Sequence, residues 1–320
     1  MDVAERDPAR YITLGAWNPD EPVDVPWEDL WHIYAIANDK GGTGKTSLTA
    51  NLALMLLKRL RESDPEARVL VIDLNAQGNL TIHEFDTPDD MNDRGAGILE
   101  ALKRGTPLKP VNVRPGLDVI AGGAELKEDL NPLYNRLMQQ YTLNADLRLL
   151  QCLLPIVDDY DFVIIDTPPE NPTLQRLAMG AARWVISPSK SDRGSLDGVE
   201  EMRKQFVTAR RVNPLLTLLG VVLFGTGRKS SQIHKRVEER LLEILGPSYF
   251  KFAQHIGHSE AVAVASRDLE GEPLVALFDR LDSGEVNLPD TVRAVHEDYW
   301  TLTEQIVTRS GELQRQIEGS

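Results

Sequence analysis

The chain has 320 residues, 42% of them hydrophobic and 26% charged, an ordinary globular composition long enough for one large α/β body. A net charge of −14 excludes a surface coated in basic residues, so any nucleic-acid contact has to come from a local patch working against the overall field. The lone Cys152 excludes an internal disulfide and any zinc site built on several thiolates.

Residues 1–31 read as an acidic, partly ordered N-terminal arm. Asp, Glu and Pro dominate around Asn18-Pro19-Asp20-Glu21-Pro22, with Trp17, Trp27 and Trp31 interspersed as docking side chains. From residue 32 onward, apolar β-branched runs alternate with helical periodicity. Strands are predicted at 33–37, 69–74, 117–121, 162–166, 185–188, 218–224 and 249–252. Helices are predicted at 45–61, 98–103, 143–157, 173–182, 198–212 and 232–245. Strands apolar throughout, separated by helices, predict a mainly parallel central sheet with helices on both faces, a three-layer α/β sandwich. No linker splits residues 32–320, which are read as one domain ending in a C-terminal helix. Val292, Val295, Tyr299, Leu302 and Ile306 lie at helical spacing in that helix. They form an apolar stripe for the body or for a partner. No signal peptide opens the chain and no apolar run approaches a membrane span, so the cytoplasm is the expected compartment.

The most informative segment joins the first strand to the first helix: Asp39-Lys40-Gly41-Gly42-Thr43-Gly44-Lys45-Thr46-Ser47. Glycines let the backbone wrap an anion, successive N–H groups point inward, and a helix N-terminus adds partial positive charge. Lys45 is placed to reach the β- and γ-phosphates of a nucleotide, and the Thr46 hydroxyl to ligate Mg²⁺. The strand at 162–166 ends in Asp166, where a carboxylate can hold Mg²⁺ through water.

The glycine loop departs from G-x-x-x-x-G-K-[ST]: Asp39 stands at the first glycine, and Lys40 adds a second lysine. In this it resembles the deviant Walker A motif of the ParA/MinD family of dimerising ATPases. Asp166-Thr167-Pro168-Pro169 is similar to the run that follows the family's metal-holding acid. Asp73-Leu74-Asn75-Ala76-Gln77-Gly78-Asn79 is similar to its D-x-D-P-Q-G-N motif, with Asn75 in place of the second acid and Ala76 in place of proline. Pro115-Gly116-Leu117 and Ser259-Glu260-Ala261 match the family more loosely. Ala253-Gln254-His255 departs from the P-R-N run found there in partition ATPases.

The resemblance implies a P-loop fold, ATP/ADP and Mg²⁺ as ligands, and an ATP-bound homodimer in which Lys40 crosses to the partner's nucleotide. It places residues 40–47 and Asp73 around the nucleotide, Thr46 and Asp166 on the metal, and Asn75 on the attacking water. An amide accepts a hydrogen bond from water but cannot take its proton, so slow hydrolysis is expected. The ParA branch further implies a ParB-like protein partner, a DNA or other cargo, and a place at the nucleoid. Basic residues that fit nonspecific DNA are Arg228, Lys229, Lys235 and Arg236, with Arg203, Lys204, Arg210 and Arg211 as a second cluster. Interleaved Glu200, Glu201, Glu238 and Glu239 fit a solvated helix instead. A nucleotide-dependent scaffold with little turnover and no DNA binding stays open as the alternative. The acidic tail opposes the membrane helix of the MinD branch, and one cysteine cannot hold the cluster of the nitrogenase iron protein branch.

Overall fold

The structure is a computed structural model and describes residues 25–226, 231–257, 274–284 and 290–319. One eight-stranded sheet organises it: β1 (Ile33–Ile36), β2 (Val69–Asp73), β3 (Val111–Arg114), β4 (Leu117–Ile120), β5 (Phe162–Asp166), β6 (Trp184–Ser189), β7 (Thr217–Thr226) and β8 (Ile256–Gly257). Their order across the sheet is β3-β4-β2-β5-β1-β6-β7-β8. All neighbours run parallel except β3, which pairs antiparallel with β4. Every residue of β1, β2, β4, β5 and β6 is buried, which is why these strands read as unbroken apolar runs.

Side chains alternate between two cores, as the pleat demands. On one face Ile33, Ala35, Leu70, Ile72, Val163 and Ile165 meet α2 (Ala96–Arg104), α3 (Glu125–Tyr141), α4 (Arg148–Leu153), α5 (Pro172–Ala181), α6 (Arg193–Ala209) and α7 (Ser231–Leu245). On the other, Tyr34, Ile36, Val69, Val71 and Ile164 meet α1 (Lys45–Arg61), α8 (Leu274–Asp282) and α9 (Asp290–Glu318). The predicted three-layer α/β sandwich is therefore the observed one. The stripe on α9 packs on its own body: Val292, Val295, Tyr299, Leu302 and Ile306 are all buried. Among the described residues no helix is long and apolar enough to cross a membrane.

Residues 25–31 lead into β1. Val25 and Leu30 join the first core, and Trp184 Nε1 donates to the Trp31 carbonyl at 2.6 Å. The rest of the acidic arm lies outside the described residues.

Several elements differ from expectation. The run 249–252 supplies only an isolated bridge, Lys251 to Val221, and the edge strand is β8 instead. The helix predicted at 143–157 is a chain of short segments, with six residues of α-helix (α4) between two 3-10 turns. Strand β3 and helices α3 and α8 were not legible. Asn131-Pro132 sits inside α3 and signals a break, yet the helix runs through it.

Candidate nucleotide site

Strand register gathers the site. Ile36 of β1 pairs with Asp166 of β5, and Asp166 pairs with Asp73 of β2, so three strands end at one level. The loop after β1 is clamped at its entry by Asn38, which is fully buried. Its amide nitrogen donates to the carbonyls of Pro188 (2.9 Å) and Ser195 (3.3 Å), and its oxygen accepts from Lys40 N at 2.8 Å. Asp39 N donates to Gly198 O of α6, and the Asp39 carboxylate accepts from Gln175 Nε2 of α5 at 2.9 Å. The loop thus hangs from two helices on the first face.

Gly44 closes the loop at φ +98°, and a Cβ there would lie 2.6 Å from the Phe224 ring, so the residue has to be glycine on both counts. No side chain caps α1, and its first turn holds no acid. The leading N–H groups therefore remain open to an anion.

Lys45 follows at once, 6% exposed, with Nζ donating to the Lys40 carbonyl at 2.9 Å. Burial pulls its pKa down, opposed by the charges of Asp166, Asp39 and Glu170. Thr46 Oγ1 donates to Asp166 Oδ2 at 2.8 Å, and Thr49 Oγ1 reaches Asp166 Oδ1 at 3.4 Å. Burial and the neighbouring Asp73 push the Asp166 carboxyl up. Two buried carboxylates with a hydroxyl between strands and loop form an oxygen donor set suited to a hard divalent cation.

Asp73 shapes the adjoining loop. Its Oδ2 accepts from Thr81 N (3.1 Å) and Thr81 Oγ1 (2.9 Å), and its Oδ1 accepts from Asn75 N (2.9 Å). Asn75 in turn accepts from Gln77 N at 3.0 Å through Oδ1. Between this loop and the segment after β5 opens a crevice of about 920 Å³. Gly41, Gly42, Gly44, Lys45, Thr46 and Ser47 of the glycine loop line it, together with Asn75 and Glu84 from the segment after β2 and Pro168 and Glu170 from the segment after β5.

The structure thus brings Gly41, Gly42, Gly44, Lys45, Thr46, Ser47 and Asn75 together in the crevice, with Thr43 and Asp73 buried behind and Asp166 below Thr46. Lys40 is exposed and stands outside the crevice, its side chain running past Gly194 and Gly198 of α6. Lys235 and Arg236 are exposed on α7, whereas Arg228, Lys229 and the Ser259-Glu260-Ala261 run lie outside the described residues. Lys204 pairs with Glu201, and Arg240 with Glu200 and Glu243, as a solvated helix face would. Gln254 is tied to α9, its N–H to Gln305 and its amide to Asp298 at 2.7 Å. Sequence reasoning passed over Asn38, Gly198 and Glu170. Only Glu170 carried a signal, as an acid directly after the Asp-Thr-Pro-Pro run.

An uncapped helix end, a buried lysine and a hydroxyl-carboxylate pair at three aligned strand ends define a P-loop nucleotide-binding protein. The AAA_31 family (AAA domain) matches residues 31–218. The chain is 29% identical to the chromosome partitioning protein ParA of Myxococcus xanthus over 218 residues, 67% of this chain and 71% of that one. Its fold is similar to that of pnob8 ParA (TM-score 0.67, 21% identity, 88% of this chain and 98% of that one). It is also similar to cobyrinic acid a,c-diamide synthase from Mycobacterium smegmatis with bound ATP analog and magnesium (TM-score 0.55, 22% identity, 79% and 97%). At such identities the structural likeness speaks for the fold alone. The chain belongs to the ParA/MinD family of P-loop ATPases.

Proposed function

We propose that the protein is an ATP-dependent, dimerising partition ATPase of the ParA kind that positions DNA or another cargo with a ParB-like partner. The observation that carries this is the Thr46–Asp166 bond beneath Lys45, at the foot of a loop whose lysine pair matches the family. On this reading residues 41–47 bind the phosphates through backbone N–H groups. Lys45 leaves the Lys40 carbonyl for the β- and γ-phosphates, a short swing from 2.9 Å contact. Thr46 and Asp166 would hold Mg²⁺, which neutralises phosphate charge when bound. Lys40, exposed and outside its own crevice, is free to reach a neighbour's nucleotide across a two-fold axis. Residues 32–320 act as one ATPase domain with the acidic arm appended to it; of that arm, residues 25–31 pack on the body through Val25 and Leu30.

Asn75 makes hydrolysis slow, so the γ-phosphate works as a long-lived switch between dimer and monomer. A scaffold with little turnover and no DNA binding is the second reading, favoured by the Glu partners of Lys204 and Arg240. Sizing the protein with ADP, ATP and a nonhydrolysable analogue tests the first. A dimer with ATP and the analogue and a monomer with ADP support it; one size throughout refutes it. DNA retention with and without ATP separates the two readings, and Lys235→Ala with Arg236→Ala should lower its salt slope.

A further inference from the structure

Position 75 poses a chemical problem. The Asn75 side chain is an amide, and its oxygen already accepts from Gln77 N at 3.0 Å. It can donate to a water but cannot take that water's proton at neutral pH. If this site hydrolyses ATP, the proton acceptor stands elsewhere on the crevice.

Most acids there are engaged. Asp73 accepts from Thr81 and Asn75, Asp166 from Thr46 and Thr49, and Asp39 from Gln175. Two carboxylates on the crevice have no hydrogen-bond or ion-pair partner among the described residues: Glu84, beside Tyr299, and Glu170. Glu170 is the exposed one of the two, and the one whose charge is felt by Lys45.

Its backbone is also unusual. Glu170 is held at φ +52°, a left-handed conformation that is strained for a residue with a Cβ. Glycine or asparagine would sit there at lower cost. Two fixtures hold the conformation: Glu170 N donates to Asp39 O at 3.0 Å, and Asn171 caps α5 by accepting from Leu174 N at 3.1 Å. A strained residue carrying an unengaged carboxylate, pinned to the phosphate loop itself, fits a chemical task.

We propose that Glu170 is the catalytic carboxylate of this ATPase, taking over the proton-accepting role that Asn75 cannot fill. The inference rests on the ATP-binding reading above. In the step, the water oxygen bonds to the γ-phosphorus as the bond from that phosphorus to the β,γ-bridging oxygen breaks. ADP leaves with the bridging oxygen, the water's proton passes to Glu170, and Glu170 later releases it to solvent. Asn75 donates its amide N–H to the same water and fixes its angle of approach.

The test measures analogue binding and single-turnover hydrolysis separately, in the native chain, Glu170→Gln, Glu170→Gly and the double variant Glu170→Gln with Asn75→Asp. Glu170→Gln should bind the ATP analogue at least as tightly as the native chain but hydrolyse ATP about 100-fold more slowly. Glu170→Gly should lose hydrolysis to the same extent while keeping or raising the melting temperature, because it relieves the backbone. Adding Asn75→Asp to Glu170→Gln should recover at least tenfold in rate, since an acid again faces the water. Native-rate hydrolysis by Glu170→Gln overturns the inference, as does a double variant no faster than Glu170→Gln, or a native chain that binds ATP and never hydrolyses it. A native chain that binds no ATP overturns the proposed function along with it.

Discussion

Gly198 of α6 tests whether a helix remote from the phosphates sets the loop that would hold them. A Cβ added at this position would lie 2.2 Å from Asn38 Oδ1, 2.7 Å from Lys40 Cβ and 2.8 Å from Lys40 N. Asn38 has no room to retreat, because it is fully buried and its amide holds Pro188 O, Ser195 O and Lys40 N. Alanine at 198 therefore forces the loop away from α6. Overpacking of this kind costs about 1–3 kcal/mol, and each buried hydrogen bond lost adds about 0.5–1.5 kcal/mol. Helix propensity returns about 1 kcal/mol of this.

The expected net loss is about 1–3 kcal/mol, or about 2–4 °C of melting temperature per kcal/mol in a chain of this size. The displaced loop should also weaken binding of an ATP analogue about tenfold, the equivalent of about 1.4 kcal/mol. Calorimetric melting and analogue titration read the two effects. Gly311→Ala on α9 is the control: no atom lies within 4 Å of its Cβ position, so about 0.5–1 kcal/mol of stabilisation and unchanged binding are expected. If Gly198→Ala melts and binds like the native chain, the contact between α6 and the loop does not position Lys40.

Two further outcomes follow from the same packing. Burial pushes the Glu84 carboxyl from its ordinary 4.5 up to about 7. Between those values the folded chain keeps a proton that the unfolded chain has released, so this group lowers stability as pH rises through that window. Glu84→Gln should match the native chain near about pH 4 and exceed it by up to about 3 kcal/mol near about pH 8; parallel melting curves at both pH values would rule this out. Tyr299→Phe removes the 3.0 Å bond between the α9 phenol and Ser47 Oγ in the first turn of α1. Stability should fall by about 1 kcal/mol, while Asn51 keeps its 2.7 Å bond to the Ser47 carbonyl. An unchanged melting temperature would mean that this bond contributes nothing to docking α9.

The parts of this molecule that were legible in sequence are those whose signal is local. Helix α1 was placed at 45–61 because a glycine loop precedes it and its apolar residues recur on one face. Strand β5 was placed at 162–166 because five apolar or terminal-acid residues sit between two turns. Thr46 and Asp166, which bond to each other across 120 residues of chain, were each singled out because each carries its own motif.

What stayed hidden depends on contacts made at a distance. Strand β3 is half exposed and exists by pairing antiparallel with β4, so its own residues carry no strong period. Helix α3 keeps Pro132 because Leu126, Leu130, Leu133 and Leu137 are buried on the first core, and packing outweighs the break. Asn38 and Gly198 are ordinary residue types whose importance lies in a single close approach between the phosphate loop and α6. Glu170 carried a local signal as the acid after Asp-Thr-Pro-Pro, but its left-handed backbone is set by its bond to Asp39 O and shows only in the fold.

The most direct measurement is a crystal structure with a nonhydrolysable ATP analogue and Mg²⁺. It should show the triphosphate held by the N–H groups of residues 41–47, Lys45 moved from the Lys40 carbonyl onto the phosphates, and Lys40 against the analogue of a two-fold-related neighbour. A crevice without nucleotide at saturating analogue, or Lys40 pointing away from any second molecule, would contradict the account.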